Sequence, residues 1–222
     1  MNCDLLDNEI GHSWLKDFED NPNELGFLTS VEDRSVLKLM NDKVEHCEGH
    51  FYLPLPWHSK VVLPQNSRTM TERRLCSLKR RLERNTELKR RYVDKVFEYV
   101  SKGYAEEIPV HEREGDQRLW YLPHHPVIRP HKPDKVHVVF DCAAQHRGIS
   151  LNDALLQGPD LTNSLVSVLT KFRLGKIGLV ADIEAMFHQV RVSHSDVNAL
   201  RFLWWPDGDL SKTPTAHKNV SA

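Results

Sequence analysis

The sequence Leu179-Val180-Ala181-Asp182-Ile183-Glu184-Ala185-Met186-Phe187-His188-Gln189-Val190 decides how the rest of the chain is interpreted. The apolar run that leads into Asp182, residues 177–181, has the length and the β-branched content of a buried strand. A carboxylate at the end of a rigid strand suits a hard cation such as Mg²⁺. A strand that simply ends on a solvated aspartate fits the same spacing. The run alone therefore predicts a strand and leaves the metal site open.

Five further short blocks surround this stretch. They are Trp120 to Ile128, Lys135 to Asp141, Ser150 to Asp153, Gly158 to Leu161 and Arg201 to Trp205. In this order and at this spacing, and together with residues 179–190, the blocks resemble the reverse transcriptases of BEL/Pao retrotransposons over about residues 45 to 212. The resemblance implies an α+β fold, namely a partial fingers and palm region in which a mostly antiparallel sheet is backed by helices.

The resemblance also implies roles for individual residues. Asp182 would be the first catalytic carboxylate, and Asp182 with the backbone carbonyl of Ile183 would bind Mg²⁺. The residues that would contact the nucleotide are Lys132, Lys135, His137, Asp141, Phe187 and Gln189. The family has an arginine where this chain has His137. A histidine is mostly uncharged at neutral pH, so this difference predicts weaker binding of the triphosphate.

The Tyr-x-Asp-Asp tetrapeptide that supplies the family's other two carboxylates does not occur in the 222 residues. A two-metal site cannot be completed with one carboxylate. We therefore expect a truncated polypeptide, derived from an RNA-directed DNA polymerase, that is inactive by itself. Its implied partners are an RNA or DNA template-primer and a deoxynucleoside triphosphate.

The charge is unevenly distributed, although the formal net charge is only −1. Residues 1–48 contain 12 acidic and 4 basic residues, a balance of −8, whereas residues 68–91 contain 10 basic and 3 acidic residues, a balance of +7. A basic patch of this density predicts contact with phosphates, although a merely solubilising face has the same composition. The predicted nucleic-acid contacts are Arg73, Arg74, Lys79, Arg80, Arg81 and Arg84.

Two other functions therefore remain open besides the polymerase-derived one. The chain is alternatively a non-catalytic nucleic-acid-binding remnant that uses the basic residues 68–91. The other alternative is a product of a decayed element that has no function of its own. An open sheet edge in such a product favours aggregation.

Local patterns divide the chain into four regions. Residues 1–67 form an acidic lead-in with a helix over about 30–43 and a hairpin over 44–57, and residues 68–117 form a basic region with helices at 68–84 and 86–101. Residues 118–212 form the partial fingers and palm, and residues 213–222 form an irregular tail. The strands expected in the third region are 119–122, 127–128, 136–140, 177–182, 190–192 and 200–205.

Two helices are also expected in residues 118–212. Ser150 opens a short one over 151–156. A longer one over 161–172, ended by Gly175, places Leu165, Val168, Leu169 and Phe172 inward.

The cysteines Cys3, Cys47, Cys76 and Cys142 are scattered, without a C-x-x-C pair. This indicates reduced thiols and an intracellular protein, either cytoplasmic or nuclear. No apolar run approaches the ~20 residues that span a bilayer, so no membrane is expected among the partners. The sequence does not predict the oligomeric state.

Overall fold

The structure, a computed structural model, describes residues 30–64, 67–109, 118–174 and 176–221. The chain divides into two compact units, which are described separately. The small unit is Met1–Lys38 with Gly158–Ile183, and the large unit is Leu39–Gln157 with Glu184–Ala222. The acidic lead-in before residue 30, and Gly175 as the predicted end of a helix, lie outside the described residues.

The first described elements follow from local signals. Helix α1 (Val31–Lys43) begins at a capping box, in which the Ser30 hydroxyl accepts from the Asp33 N–H and the Asp33 carboxylate accepts from the Ser30 N–H. Strands β1 (Glu45–Cys47) and β2 (His50–Leu53) follow as a hairpin. Its two turn residues, Glu48 and Gly49, both have positive φ, as a tight hairpin turn requires. The predicted helix and hairpin are confirmed.

The two predicted basic-region helices are also confirmed, as α2 (Arg68–Glu83) and α3 (Thr86–Ser101). The side chain of Asn85 caps α3 by accepting from the Leu88 N–H at 3.0 Å. The helices bury leucines and aromatic or branched residues in one shared core. These are Leu75, Leu78 and Leu82 of α2 and Leu88, Tyr92 and Val96 of α3.

The remaining strands are β3 (Ala105–Glu107), β4 (His124–Arg129), β5 (Lys132–Phe140), β6 (Val190–Val192), β7 (Arg201–Trp204) and β8 (Thr215–Asn219). Three sheets result. In the first, β6 joins the β1–β2 hairpin by parallel pairing with β2; in the second, β8 lies antiparallel between β3 and β7; the third is the β4–β5 hairpin. With its helices and mostly antiparallel pairings, the protein has an α+β fold.

Residues 213–222, predicted to be an irregular tail, instead supply the central strand of a sheet. Strand β8 pairs with β3 on one side and with β7 on the other, and Ala216 and His217 are buried. The prediction was wrong because the segment lacks an apolar period, and a central strand is determined by its two partners as much as by its own residues.

Residues 120–122 of the predicted strand 119–122 are buried, but only Tyr121 pairs as in a sheet, with Arg201. Trp120 and Leu122 bond to the backbone of residues 198–201 instead. Helix α4 (Leu151–Ala154) follows a capping box made by Ser150 and Asp153. Trp120, Leu122, Leu151 and Leu200 form a second core.

The small unit differs most from expectation. Helix α5 (Leu165–Leu174) has no buried residue, so the predicted inward face of Leu165, Val168, Leu169 and Phe172 is wrong. Residues 177–182 are irregular, and Leu179 and Val180 are each 88% exposed. The predicted strand there is also wrong, because a strand needs a partner for its backbone, and no described residue pairs with this run.

Within the described ranges, no helix is long and apolar enough to cross a membrane.

Candidate nucleic-acid interface

Helix α2 carries all of its arginines except Arg68 on one side. At about 100° per residue, five of them fall within about 120° of the circumference and along about 16 Å of the axis. They are Arg73, Arg74, Arg80, Arg81 and Arg84, here called the arginine face. All five are exposed, and none forms an ion pair with a carboxylate of the described residues. The face therefore presents guanidinium groups that are available to an external anion.

The acids of α2 lie on the flank beside the arginine face, about 60 to 80° beyond its edge at Arg80. Glu72 pairs with Arg68 at 2.9 Å, and Glu83 lies 3.9 Å from Lys79. Lys79, predicted with the arginines to contact nucleic acid, lies on this acidic flank and is half-buried. The arginine face thus excludes Lys79 and contains no acidic residue.

The inner side of α2 is held firmly to the rest of the large unit. The Thr71 hydroxyl donates to the Tyr121 carbonyl at 2.9 Å, and the Ser67 hydroxyl accepts from the Tyr121 N–H at 3.0 Å. All three of these residues are buried, and Leu82 is completely buried in the shared core. Because α2 is fixed on its inner side, the arginine face has a defined position.

A cleft of about 190 Å³ opens beside the arginine face. Its lining comprises Arg74, Ser77, Leu78, Arg81, Pro123, His124, His125 and Asp141. The Asp141 N–H donates to the Pro123 carbonyl at 2.8 Å, and Asp141 Oδ1 accepts from the Ala143 N–H at 3.1 Å. Neither arginine of the cleft lies within 4.0 Å of the Asp141 carboxylate. The cations and the carboxylate therefore line the same cleft without forming an ion pair.

His124 lines this cleft, but its two ring nitrogens are already hydrogen-bonded within the protein. Its Nε2–H donates to the Leu203 carbonyl at 2.9 Å, and the Tyr92 hydroxyl donates to its Nδ1 at 2.7 Å. Burial lowers the pKa of His124 to about 4 and raises the pKa of Tyr92. Both ring nitrogens are occupied, so His124 is a neutral structural residue and does not contact a ligand through its nitrogens.

The predicted nucleotide contacts Lys132, Lys135 and His137 all lie on β5 and are exposed. Lys135 and His137 share the solvent face of the β4–β5 hairpin, whereas Val136 and Val138 point into the core. Asp141, which follows β5, is in the cleft instead. The structure thus brings the lysines and His137 to one hairpin and brings Asp141 to α2.

Phe187 and Gln189 lie in a 3₁₀ turn, Met186–Gln189, just before β6. His188 between them points inward, stacks on Tyr104 with 4.1 Å between ring centroids, and has Nδ1 at 2.8 Å from the Ser221 hydroxyl. Burial also lowers the pKa of His188. This anchoring leaves Phe187 73% exposed.

Asp182 and Ile183 belong to the small unit, on irregular backbone, and both are exposed. The predicted metal ligands and the predicted nucleotide contacts therefore fall in different compact units. Over the described ranges, no three His, Cys, Asp or Glu side chains are grouped so as to hold a metal ion. One exposed carboxylate on irregular backbone does not fit a preformed Mg²⁺ site.

Five lining residues of the cleft were not predicted as site residues, among them the exposed Ser77 and His125. Helical spacing was a usable signal for Ser77, because it lies three residues after Arg74 and four before Arg81. No local pattern identified His125, since only the packing of β4 against α2 brings it there.

No protein-family model matches this chain, and no curated protein is significantly similar to it. Its function is therefore inferred from its residues and their geometry.

Proposed function

We propose that the chain is a reverse-transcriptase-like polypeptide of the BEL/Pao type that binds nucleic acid through the arginine face and does not extend a primer by itself. The family assignment rests on the ordered blocks around Trp120, Asp141, Ser150, Asp182 and Trp204. Packing supports treating several blocks as one unit, because Trp120 and Leu151 share one core and Tyr121 and Trp204 share the other.

The observation that carries the binding proposal is the separation of charges on α2. Five exposed guanidinium groups lie together, while Glu72 and Glu83 occupy the flank beside them. A solubilising face would gain nothing from excluding acids, whereas a phosphate-binding face would lose affinity with each acid it contained. Arginine also donates paired hydrogen bonds to phosphate oxygens and is charged at every physiological pH.

The proposal of no turnover rests on the carboxylates. In the family that the chain resembles, Asp182 and the Ile183 carbonyl would hold Mg²⁺ together with two further acids, and the ions would stabilise charge on the transferred phosphate. Here Asp182 is exposed and Tyr-x-Asp-Asp does not occur among the 222 residues.

The proposed partners follow from the resemblance to the same family. A template-primer of RNA or DNA would contact the arginine face, and a deoxynucleoside triphosphate would approach Lys132 and Lys135, whose ammonium groups are exposed on β5. An intracellular location, cytoplasmic or nuclear, belongs to this proposal as well.

A non-catalytic nucleic-acid-binding protein is the second candidate, and the arginine face favours it equally. It differs from the first in having no deoxynucleoside triphosphate among its partners, and both predict nucleic-acid binding without polymerisation. The decayed-element alternative predicts instead that the purified chain aggregates and binds nothing specifically.

One experiment tests both parts of the proposal. The purified chain is mixed with a labelled template-primer, and binding by fluorescence anisotropy is measured in parallel with incorporation of deoxynucleotides in Mg²⁺. We expect saturable binding and no incorporation. Mg²⁺-dependent primer extension would refute the claim of no turnover, and the absence of binding at low salt would refute the role of the arginine face.

A further inference from the structure

The cleft beside the arginine face has two chemically different sides. Arg74, Arg81 and Ser77 supply donors from α2, whereas the half-buried Asp141 supplies only acceptors. A plain phosphate-binding cleft would have no carboxylate, because a carboxylate repels the anion. A ligand that fills this cleft must therefore present an anionic group on one side and a hydrogen-bond donor on the other.

One oxygen of the Asp141 carboxylate is held by a hydrogen bond, and the other can still accept one. Its Oδ1 is held by the Ala143 N–H, and the backbone N–H of Asp141 is bonded to the Pro123 carbonyl. Within the described part of the chain, Oδ2 has no hydrogen-bond partner. A fixed carboxylate with one free oxygen is a good acceptor for an incoming hydroxyl group.

The cleft is open to solvent, and its volume of about 190 Å³ is sufficient for a phosphate with part of its sugar. Of the two histidine rings that line the cleft, His124 is packed against Tyr92 and Phe202, whereas His125 is exposed. The guanidinium groups, the Ser77 hydroxyl and the Asp141 carboxylate match the phosphate and the hydroxyl groups of a sugar-phosphate backbone.

We propose that this cleft binds one backbone unit of RNA, with the phosphate between Arg74 and Arg81 and the ribose 2′-hydroxyl donating to Asp141. The inference rests on the proposed binding of nucleic acid by the arginine face and adds a preference for RNA over DNA. DNA has no 2′-hydroxyl, so it leaves the Asp141 carboxylate desolvated beside a phosphate and without a partner.

The first test uses the unaltered protein and three single strands of identical sequence: RNA, DNA and 2′-O-methyl RNA. The methylated strand keeps an RNA-like sugar but cannot donate a hydrogen bond from the 2′ position. We expect RNA to bind about tenfold more tightly than either of the others, which is the range for a hydrogen bond to a charged group. Equal affinity for RNA and 2′-O-methyl RNA would overturn the inference.

The second test uses a matched pair of charge-removing variants. Asp141→Asn removes the carboxylate of the cleft, whereas Glu83→Gln removes one on the acidic flank of the same helix, outside the cleft. We expect Asp141→Asn to tighten DNA binding and to reduce the preference for RNA to less than about threefold. Glu83→Gln should shift all three affinities together and leave the preference unchanged.

The outcomes separate this inference from the proposed function. If all three strands bind equally well and Asp141→Asn changes nothing, the inference is refuted and the arginine face remains as a general phosphate contact. If no strand binds at low salt, the proposed function itself is refuted. Circular dichroism of both variants confirms that the comparison is between folded proteins.

Discussion

Helices α2 and α3 have the same length, 16 residues, and follow each other in the chain. They differ in how many of their cations form ion pairs with acids of the same helix. On α3, Arg90 and Arg91 lie 2.8 and 2.6 Å from Glu87, and Lys95 lies 2.6 Å from Glu98. On α2, the five arginines of the arginine face have no such partner among the described residues. Three of the four cations of α3 are thus paired within the helix, whereas on α2 only Arg68 and Lys79 are paired with an acid of the described residues.

The difference arises from where the acids stand in the sequence. Glu87 precedes Arg90 and Arg91 by three and four residues, which is the spacing at which helix side chains meet. Their hydrogen bonds to Glu87 lower its pKa to about 2. A count of charges over residues 68–91 treats both helices alike, whereas the spacing of the acids shows which cations are available to a ligand.

The largest effect is expected from removing charge on α2. Replacing Arg73, Arg80 and Arg84 together by Gln removes three phosphate contacts. Each contact is worth about 0.7 to 0.9 log units at 0.1 M salt, so affinity for a short oligonucleotide should fall about 100-fold or more. Fluorescence anisotropy in 0.1 M salt measures the change.

The matched control for this triple variant is Arg90→Gln on α3. Because Arg90 is already bound to Glu87 and Asp94, its removal should change affinity less than about twofold. Similar losses from the two helices would contradict the distinction between them.

A smaller effect is expected from a change of pH. The hydrogen bond that joins α3 to β4 includes a titratable histidine, whereas the one that joins α2 to Tyr121 includes no titratable group. Tyr92 of α3 bonds to His124, whereas Thr71 of α2 bonds to the Tyr121 carbonyl. Burial lowers the folded pKa of His124 from its ordinary 6.5 to about 4. The unfolded chain therefore binds more protons between these values, so stability falls as pH falls. The loss from His124 between pH 7.5 and pH 5 is about 2 kcal/mol.

Denaturant unfolding of His124→Gln at both pH values isolates this contribution. A glutamine can donate to the Leu203 carbonyl and accept from Tyr92, but it does not titrate. The variant should therefore lose about 2 kcal/mol less than the wild type over the same pH range. An identical pH dependence in both proteins would show that His124 is not buried in its neutral form.

The smallest expected effect comes from making α3 resemble α2. Glu87→Gln removes the carboxylate that Arg90 and Arg91 share, and leaves them only their longer contacts to Asp94 and Asp134. One additional phosphate contact should raise oligonucleotide affinity about fivefold at 0.1 M salt. Anisotropy titration checks this, and unchanged affinity would mean that α3 lies too far from the bound strand to contribute.

Local signals allowed much of the large unit to be predicted. The spacing of apolar residues located α2 and α3, and the Glu48-Gly49 turn located the β1–β2 hairpin. The high density of basic residues in α2 also predicted that its arginines contact nucleic acid. The separation of Lys79 from them required helical angles and the contact with Glu83, which a count of charges does not contain.

Local signals did not predict the elements that depend on pairing between distant strands. Strand β8 has a polar sequence, but it is fixed by β3 and β7 on its two sides. Residues 177–181 have an ideal strand composition, but no described residue offers them a partner. Asp141 was expected in a nucleotide pocket with the β5 lysines, and only the packing of α2 beside the end of β5 brings it to the arginines.

The salt dependence of binding tests the central claim, that α2 presents arginines to phosphates, most directly. The observed association constant for a single-stranded oligonucleotide is measured between 50 and 200 mM salt. With four to five arginines engaged, a plot of its logarithm against the logarithm of salt concentration should have a slope of about −3. A slope near zero would contradict the account, because binding would then not release the counterions that these five arginines displace.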